Sequence, residues 1–260
     1  MEVFLNPDAW VALLTLTFLE IVLGIDNIIF ISIVTGKLPV ENRKKATQIG
    51  LFLAMFMRIA LLMGITYLIA MKEPWFSIDW GWFKANFTGQ ALILLAGGIF
   101  LIYKSTKEIH EKVDHKGEEE KDLKSTATKS FGNVIFQILL IDLIFSVDSI
   151  LTAVGMTNGI EGALYIMIAA VIISVAVMML FAVPVGNFVN ANPSIQILGL
   201  AFLILIGFML ITESMHLSDA ALVGQHVGAV PKGYLYFAIT FSLIVEFLNM
   251  KMKKSKNKTS

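Results

Sequence analysis

Two segments of the sequence carry the same acidic motif, and both lie inside long hydrophobic stretches. The motif is an acid, a second acid six positions later and then Asn or Ser, as in Glu20, Asp26 and Asn27 and again in Asp142, Asp148 and Ser149. A carboxylate is costly at bilayer depth, so acids found there usually serve an ion or proton pathway. Carboxylate, amide and hydroxyl oxygens suit hard divalent ions such as Mn²⁺, Mg²⁺ and Ca²⁺. The doubled motif therefore predicts a cation site.

The composition indicates a membrane protein built from helices. Of the 260 residues, 57% are hydrophobic and 15% are charged, against about 45–50% and about 25% in soluble domains. Seven stretches reach the ~20 apolar residues that a span needs: 9–34, 48–71, 87–104, 131–155, 162–189, 194–213 and 231–250. They lack the period-2 alternation of a β-barrel. The sequence has no cysteine, which excludes disulfides, thiolate metal sites and cysteine nucleophiles.

The lysines and arginines between the predicted spans predict the orientation. Sixteen of them fall in the loop after the first span, in the segment 104–129 and in the tail after residue 250, whereas only Lys72, Lys84 and Lys232 fall on the other side. Cytoplasmic loops carry the excess of positive charge. The N-terminus is therefore predicted to lie outside the cell and the C-terminus in the cytoplasm.

The spacing of the two motifs indicates an internal repeat. Their equivalent residues are 122 positions apart, and Thr35 and Thr157 share that offset. A repeat of three spans enters the membrane from alternate sides, as in many transporters. The predicted fold is an all-α membrane protein with seven transmembrane helices, built from two inverted three-helix repeats plus one C-terminal helix. The predicted segments are the first repeat (1–106), a polar cytoplasmic linker (107–130), the second repeat (131–217), an outer loop with the seventh helix (218–250) and a basic tail (251–260).

Helix geometry leaves the arrangement of the four acids open. Six residues turn a regular helix by about 240°, so Glu20 and Asp26 would not share a face, whereas Glu20 and Asn27 nearly would. The acids could converge on one site only if the first span were unwound near Gly24. Otherwise they form two layers.

Arg58 lies in the middle of the second predicted span and is expected to act as a charge partner, because an unpaired arginine is too costly there. A purely structural ion pair would account for one acid, and the others must be protonated, line water or bind a cation. Four acids around Arg58 and a divalent ion leave one surplus negative charge, which a proton could neutralise.

Other polar residues have ordinary structural explanations beside any functional one. Glu213 and Glu246 lie close enough to span ends to reach the interface, so a snorkelling role has at least as much support as a functional one. The linker is read as a solvated segment, with a metal-sensing loop at His110, Asp114 and His115 as the weaker hypothesis.

The residues quoted above, within Phe18–Asn27 and Asp142–Ser149, resemble the TerC family of integral membrane proteins, as do Leu101–Lys104, Lys107–Glu111 and Val230–Phe237. The similarity covers nearly the whole chain except the polar linker and the basic tail. It implies a bacterial inner-membrane protein of metal homeostasis, in which manganese export is the expected activity and tellurite resistance the historical label. It also implies that Glu20, Asp26, Asp142 and Asp148 are the functional acids.

The leading hypothesis is an exporter of a divalent cation, most simply Mn²⁺ exchanged for protons, with the metal as substrate and no tightly bound cofactor. Its expected partners are the ion and the lipid bilayer, with no nucleic acid. The alternative is a non-transporting partner of the protein-export machinery that helps secreted proteins acquire metal. An intramembrane aspartyl protease would not explain a duplicated Glu/Asp set, so an enzyme is not expected. The sequence leaves the metal, the coupling ion and the oligomeric state open.

Overall fold

Long helices make up most of the chain in the computed structural model. It describes residues 7–64, 73–114, 130–157, 159–160 and 162–259, with side chains to residue 252. The helices of these ranges are α1 (Pro7–Thr35), α2 (Val40–Met63), α3 (Gly89–Asp114), α4 (Phe131–Met156), α5 (Ala163–Ala191), α6 (Pro193–Leu217) and α7 (Lys232–Thr259). All seven are long and apolar enough to cross a membrane. The predicted all-α fold with seven spans is therefore confirmed, and the protein is a multi-pass membrane protein.

Four short strands, which the sequence did not predict, form one antiparallel sheet beside the helices. They are β1 (Pro74–Asp79), β2 (Phe83–Thr88), β3 (Ala221–Leu222) and β4 (Gln225–His226), in the order β1-β2-β3-β4. Because β2 leads directly into α3 and β3–β4 connects α6 to α7, these helix ends meet on one side of the bundle, called the sheet side below. The exposed rings of Trp75, Trp80 and Trp82 lie on the β1–β2 hairpin, as expected for residues at a membrane interface.

An ion-pair network marks the other side of the bundle. Lys37, just after α1, contacts Glu108 near the end of α3, and Lys104 contacts Glu108 at 2.8 Å. The end of α1 therefore lies opposite the sheet. From Asp26 to Thr35 every residue of α1 is buried, so this half of the helix forms the centre of the bundle.

The helices pack in pairs: α1 contacts α5, α2 contacts α4 and α3 contacts α6. Small residues let membrane helices approach closely, and α3 and α6 cross at Gly98 and Gly207. A Cβ atom added at Gly98 would lie 2.6 Å from the Gly207 carbonyl oxygen, and one at Gly207 would lie 2.8 Å from that of Gly98. Relating α1 to α4, α2 to α5 and α3 to α6 exchanges the α1–α5 pair with the α2–α4 pair and maps the α3–α6 pair onto itself. The inverted relation of the two halves stays a prediction.

The third helix is longer than its predicted span, because α3 ends at Asp114 rather than at residue 104. The first part of the predicted linker 107–130 is therefore helical. His110 contacts Asp114 at 3.0 Å at the exposed end of this helix. His115 and the rest of the linker up to residue 129 lie outside the described residues, so the metal-sensing hypothesis stays a prediction.

Candidate cation site in the helix bundle

Arg58 of α2 joins the first acids of both motifs. Its Nη1 contacts the Glu20 carboxylate on α1, and its Nη2 lies 2.9 Å from Oδ1 of Asp142 on α4. Its Nε donates a hydrogen bond of 3.0 Å to Oγ of Ser146. All four residues are buried. The sequence required at least one acidic partner for Arg58, and the structure gives it two.

The two carboxylates at Arg58 are not held equally. Asp142 also accepts hydrogen bonds from Asn27 Nδ2, at 3.4 Å, and from Ser146 Oγ, at 3.2 Å. Within the described residues, Glu20 has no other hydrogen-bond partner than Arg58. The shared guanidinium therefore ties α1, α2 and α4 together, and Asp142 is the better stabilised of its two anions.

The second acids of the motifs have different surroundings. Asp148 Oδ2 lies 2.7 Å from Nζ of Lys232, the first residue of α7, and that ammonium also lies 3.0 Å from Oγ1 of Thr152. Asp26 is 8% exposed and has no hydrogen-bond or ion-pair partner in the described part of the chain. A buried carboxylate without a partner is unfavourable, so Asp26 is the acid whose charge the protein leaves uncompensated.

A cavity of about 50 Å³ connects these groups. Its polar lining consists of Glu20, Asp26, Asn27, Arg58, Asp148, Ser149, Glu213, Lys232 and Tyr236. Asp148 and Glu213 also line a second space of about 300 Å³, together with Thr152 of α4 and Leu217 at the end of α6. This recess lies toward the sheet side, and the two acids separate it from the cavity.

Asn27 lines the cavity and has a side-chain oxygen without a donor among the described residues. Its side chain is 6% exposed, and its Nδ2 is used by Asp142. Its Oδ1 is buried and has no hydrogen-bond partner among the described residues. Ser149, the equivalent residue of the second motif, donates instead to the backbone oxygen of Ser146 at 3.3 Å. The Asn27 oxygen and the Asp26 carboxylate are thus acceptors on consecutive residues of α1, and neither has a donor in the described part of the chain.

The four acids do not form one cluster in this conformation. α1 is a continuous helix through Gly24, so the unwound arrangement is not adopted. The acids fall into two groups, with Glu20 and Asp142 at Arg58 and the second acids at the cavity wall. Within the described ranges, no three acidic or histidine side chains lie close enough together to hold a metal ion. Of the predicted ligands, Asp142 alone is absent from the cavity lining.

Four functional candidates were not found from the sequence. Ser146 and Tyr236 have common residue types and no pattern that marks them. For Glu213 the sequence left a snorkelling role and a functional role open, and α6, which continues to Leu217, places Glu213 at the cavity. Lys232 was counted with the loops, although its ammonium reaches Asp148. Neither charge belongs to the repeated motif, so the repeat could not reveal them.

Comparison with known proteins places the chain in a family. Residues 5–260 match the model of the integral membrane protein TerC family. The UPF0053 inner membrane protein YgdQ of Escherichia coli (strain K12) is 49% identical over 249 residues, which are 96% of this chain and 95% of that relative. The UPF0053 protein of Haemophilus influenzae is 43% identical over 96% of both chains. The UPF0053 inner membrane protein YoaE of Escherichia coli (strain K12) is 42% identical over 98% of this chain but only 45% of its own length. No solved structure matches. The chain belongs to the TerC family of integral membrane proteins.

Proposed function

We propose that this protein is a transporter that exports a divalent metal cation, with Mn²⁺ as the first substrate to test, across a bacterial inner membrane. The membrane assignment is supported by relatives that are named inner membrane proteins. The observation that carries the proposal is a pair of oxygen acceptors on α1, the Asp26 carboxylate and Asn27 Oδ1, which have no donor among the described residues and belong to two residues that line the cavity.

These acceptors are expensive to maintain unless something binds them. A polar group that is buried without a partner destabilises the fold by about 1–3 kcal/mol, and a charged group by more. Acids within membrane spans that face a cavity usually mark an ion path. A cation at Asp26 and Asn27 would supply the missing partner for both oxygens, and a ligand from Asp148 would complete the site across the cavity.

The charge around the cavity also supports a divalent ion. The acids are Glu20, Asp26, Asp142, Asp148 and Glu213, and the bases are Arg58 and Lys232. Five acids and two bases leave three formal negative charges, and a divalent ion reduces these to one. The surplus charge expected from the sequence is therefore unchanged, because Glu213 and Lys232 offset each other. A proton on one acid would neutralise it, which supports exchange of the metal for protons.

The ligand types favour a hard ion. The cavity offers carboxylate, amide and hydroxyl oxygens, and no histidine lines it in the described part of the chain. Such donors suit Mn²⁺, Mg²⁺ and Ca²⁺ better than soft metals. The recess beyond Asp148 and Glu213 gives the ion a route toward the sheet side, which the lysine distribution predicts to be the outer side. That direction corresponds to export.

The test is metal flux into proteoliposomes with Asp26→Asn and a panel of divalent cations. Asn keeps the shape of the side chain and removes its charge, so we expect Mn²⁺ flux to fall at least about tenfold, the equivalent of ~1.4 kcal/mol. The matched control is Asp79→Asn, because Asp79 is an exposed aspartate on the β1–β2 hairpin, outside the cavity. It should transport like the wild type. Asn27→Ala should reduce flux less, since a water can replace a neutral ligand.

Two results would contradict the proposal. Normal flux through the Asp26→Asn protein would mean that this carboxylate is not a ligand. A wild-type protein that is folded and inserted but moves no metal in either direction would instead favour the non-transporting partner of the export machinery.

A further inference from the structure

The amino group of Lys232 occupies a place that a bound cation would need. It lies 2.7 Å from Asp148 Oδ2 and 3.0 Å from Thr152 Oγ1, two oxygens one helical turn apart on α4. A lysine ammonium is a compact point charge, so it makes contacts much like those of a small cation. It lines the same cavity as the open acceptors at Asp26 and Asn27.

The position of Lys232 in the fold leaves its side chain able to move. It is the first residue of α7, and a positive charge is disfavoured at a helix N-terminus because the helix dipole is positive there. The side chain is 32% exposed and has a flexible four-carbon stem. α7 itself is only lightly packed, since 11% of its most apolar stretch is buried against the rest of the protein. Asp148 and Thr152 are thus the contacts that hold the ammonium in place.

Asp148 cannot serve both cations through the same oxygen. When Lys232 is bound, Oδ2 is taken, and the full charge of the carboxylate is already paired. A divalent ion that draws on Asp148 must first displace the ammonium, whose repulsion it would otherwise meet at close range. The lysine therefore weakens metal binding by an amount set by its own contact with Asp148.

We propose that Lys232 is a tethered competitor of the transported cation. It occupies Asp148 when no metal is present, leaves when a metal binds, and returns to drive the ion out toward the sheet side. The inference rests on the proposed function, because it requires Asp148 to be a metal ligand. Lys232 is a specificity- and release-determining residue here, and it does not touch the ion.

The test compares Mn²⁺ binding to purified protein in detergent, followed by calorimetry, with the kinetics of Mn²⁺ flux. Lys232→Met removes the ammonium and keeps most of the apolar stem. We expect its Kd for Mn²⁺ to fall at least about tenfold, its KM to fall with it, and its kcat to fall as well, because release becomes slow. Lys232→Arg should bind metal as weakly as the wild type. The control is Lys84→Met, since Lys84 pairs with Asp79 at 2.8 Å on the same side but far from the cavity lining.

A double variant shows whether the effect of Lys232→Met on metal binding depends on Asp148. Adding Asp148→Asn to Lys232→Met should return the Kd to the wild-type value or above it. If Lys232→Met does not elute as a folded protein, Lys232→Gln carries the same test, because its amide can still contact Asp148 without a charge.

Each result decides between the two proposals. If Lys232 is purely structural, Lys232→Met binds Mn²⁺ no more tightly than the wild type, and Lys232→Arg does not keep the wild-type Kd. Either result overturns the competitor role while leaving the transport proposal intact. Absence of Mn²⁺ binding in the wild type and in Lys232→Met alike would overturn the transport function itself and the competitor role with it.

Discussion

Replacing Arg58 by methionine should strongly destabilise the folded protein, because one guanidinium holds two buried carboxylates. Arg58→Met leaves Glu20 and Asp142 without their cation in a region where both are buried. Removing one partner of a buried ion pair destabilises soluble proteins by roughly 3–5 kcal/mol. The same loss here would lower the ratio of folded to unfolded protein by roughly two to four orders of magnitude.

The structure also predicts which second change restores more stability. Arg58→Met with Glu20→Gln leaves Asp142, which still accepts hydrogen bonds from Asn27 and Ser146. Arg58→Met with Asp142→Asn leaves Glu20, which has no other partner in the described part of the chain. Hydrogen bonds to charged groups contribute about 1.5–3 kcal/mol each, and these two are long. We therefore expect the first double variant to be the more stable by at least about 1.5 kcal/mol, and the triple variant to approach the wild type.

The assay is the fraction of protein that remains folded in detergent after heating, measured by size-exclusion chromatography. The control is Arg43→Met, since Arg43 donates to the backbone oxygens of Gly36 and Leu38 and contacts no carboxylate among the described residues. Its removal should have a smaller effect, about 0.5–1.5 kcal/mol for each neutral hydrogen bond. The reasoning would be refuted if Arg58→Met were as stable as Arg43→Met, or if the order of the two double variants were reversed.

Two further predictions concern topology and packing. Single cysteines at Trp80 and Glu118, introduced into a chain that has none, should react with a membrane-impermeant reagent from the outside and from the cytoplasm respectively, and the opposite pattern would overturn the predicted orientation. Gly98→Ala should destabilise the protein by about 1–3 kcal/mol through overpacking, because its methyl group would meet the α6 backbone. The control Gly132→Ala should leave the stability unchanged, because no atom lies within 4 Å of a Cβ added there. Equal melting midpoints for the two variants would show that α3 and α6 can separate without a loss of stability.

The parts of the fold that follow from local composition could be predicted. A span needs ~20 apolar residues in a row, so the seven helices could be recognised from single stretches of sequence. The need to neutralise Arg58 follows from its depth alone. Whether Arg58 pairs with one acid or with two depends on how α1, α2 and α4 pack against each other, and this packing cannot be deduced from any one of the three segments.

Features that join distant segments could not be predicted. The sheet pairs β2 with β3, which comes from a loop more than 130 residues later in the chain. Lys232 and Asp148 are 84 residues apart, and a lysine at the start of a span usually reaches the interface. Its contact with Asp148 depends on where α7 begins beside α4. The position of Glu213 was not predictable for a similar reason, because this residue would lie at the membrane interface if α6 ended before it.

The difference between the two halves explains why equivalent acids have different roles. Gly24 and Ser146 are equivalent residues of the two motifs, 122 positions apart. In one half Arg58 of α2 contacts Ser146, and in the other Met178 of α5 covers Gly24, where an added Cβ would lie 2.2 Å from its sulfur. A guanidinium and a thioether thus stand at corresponding places. The guanidinium of Arg58 pairs with Glu20 and Asp142, whereas Asp26 and Asp148 do not contact it, and of these two only Asp148 is paired with Lys232 in the described part of the chain. The repeat supplies four acids, and the residues outside the motif leave one of them, Asp26, without a partner among the described residues, which is why the proposed cation site is centred on it.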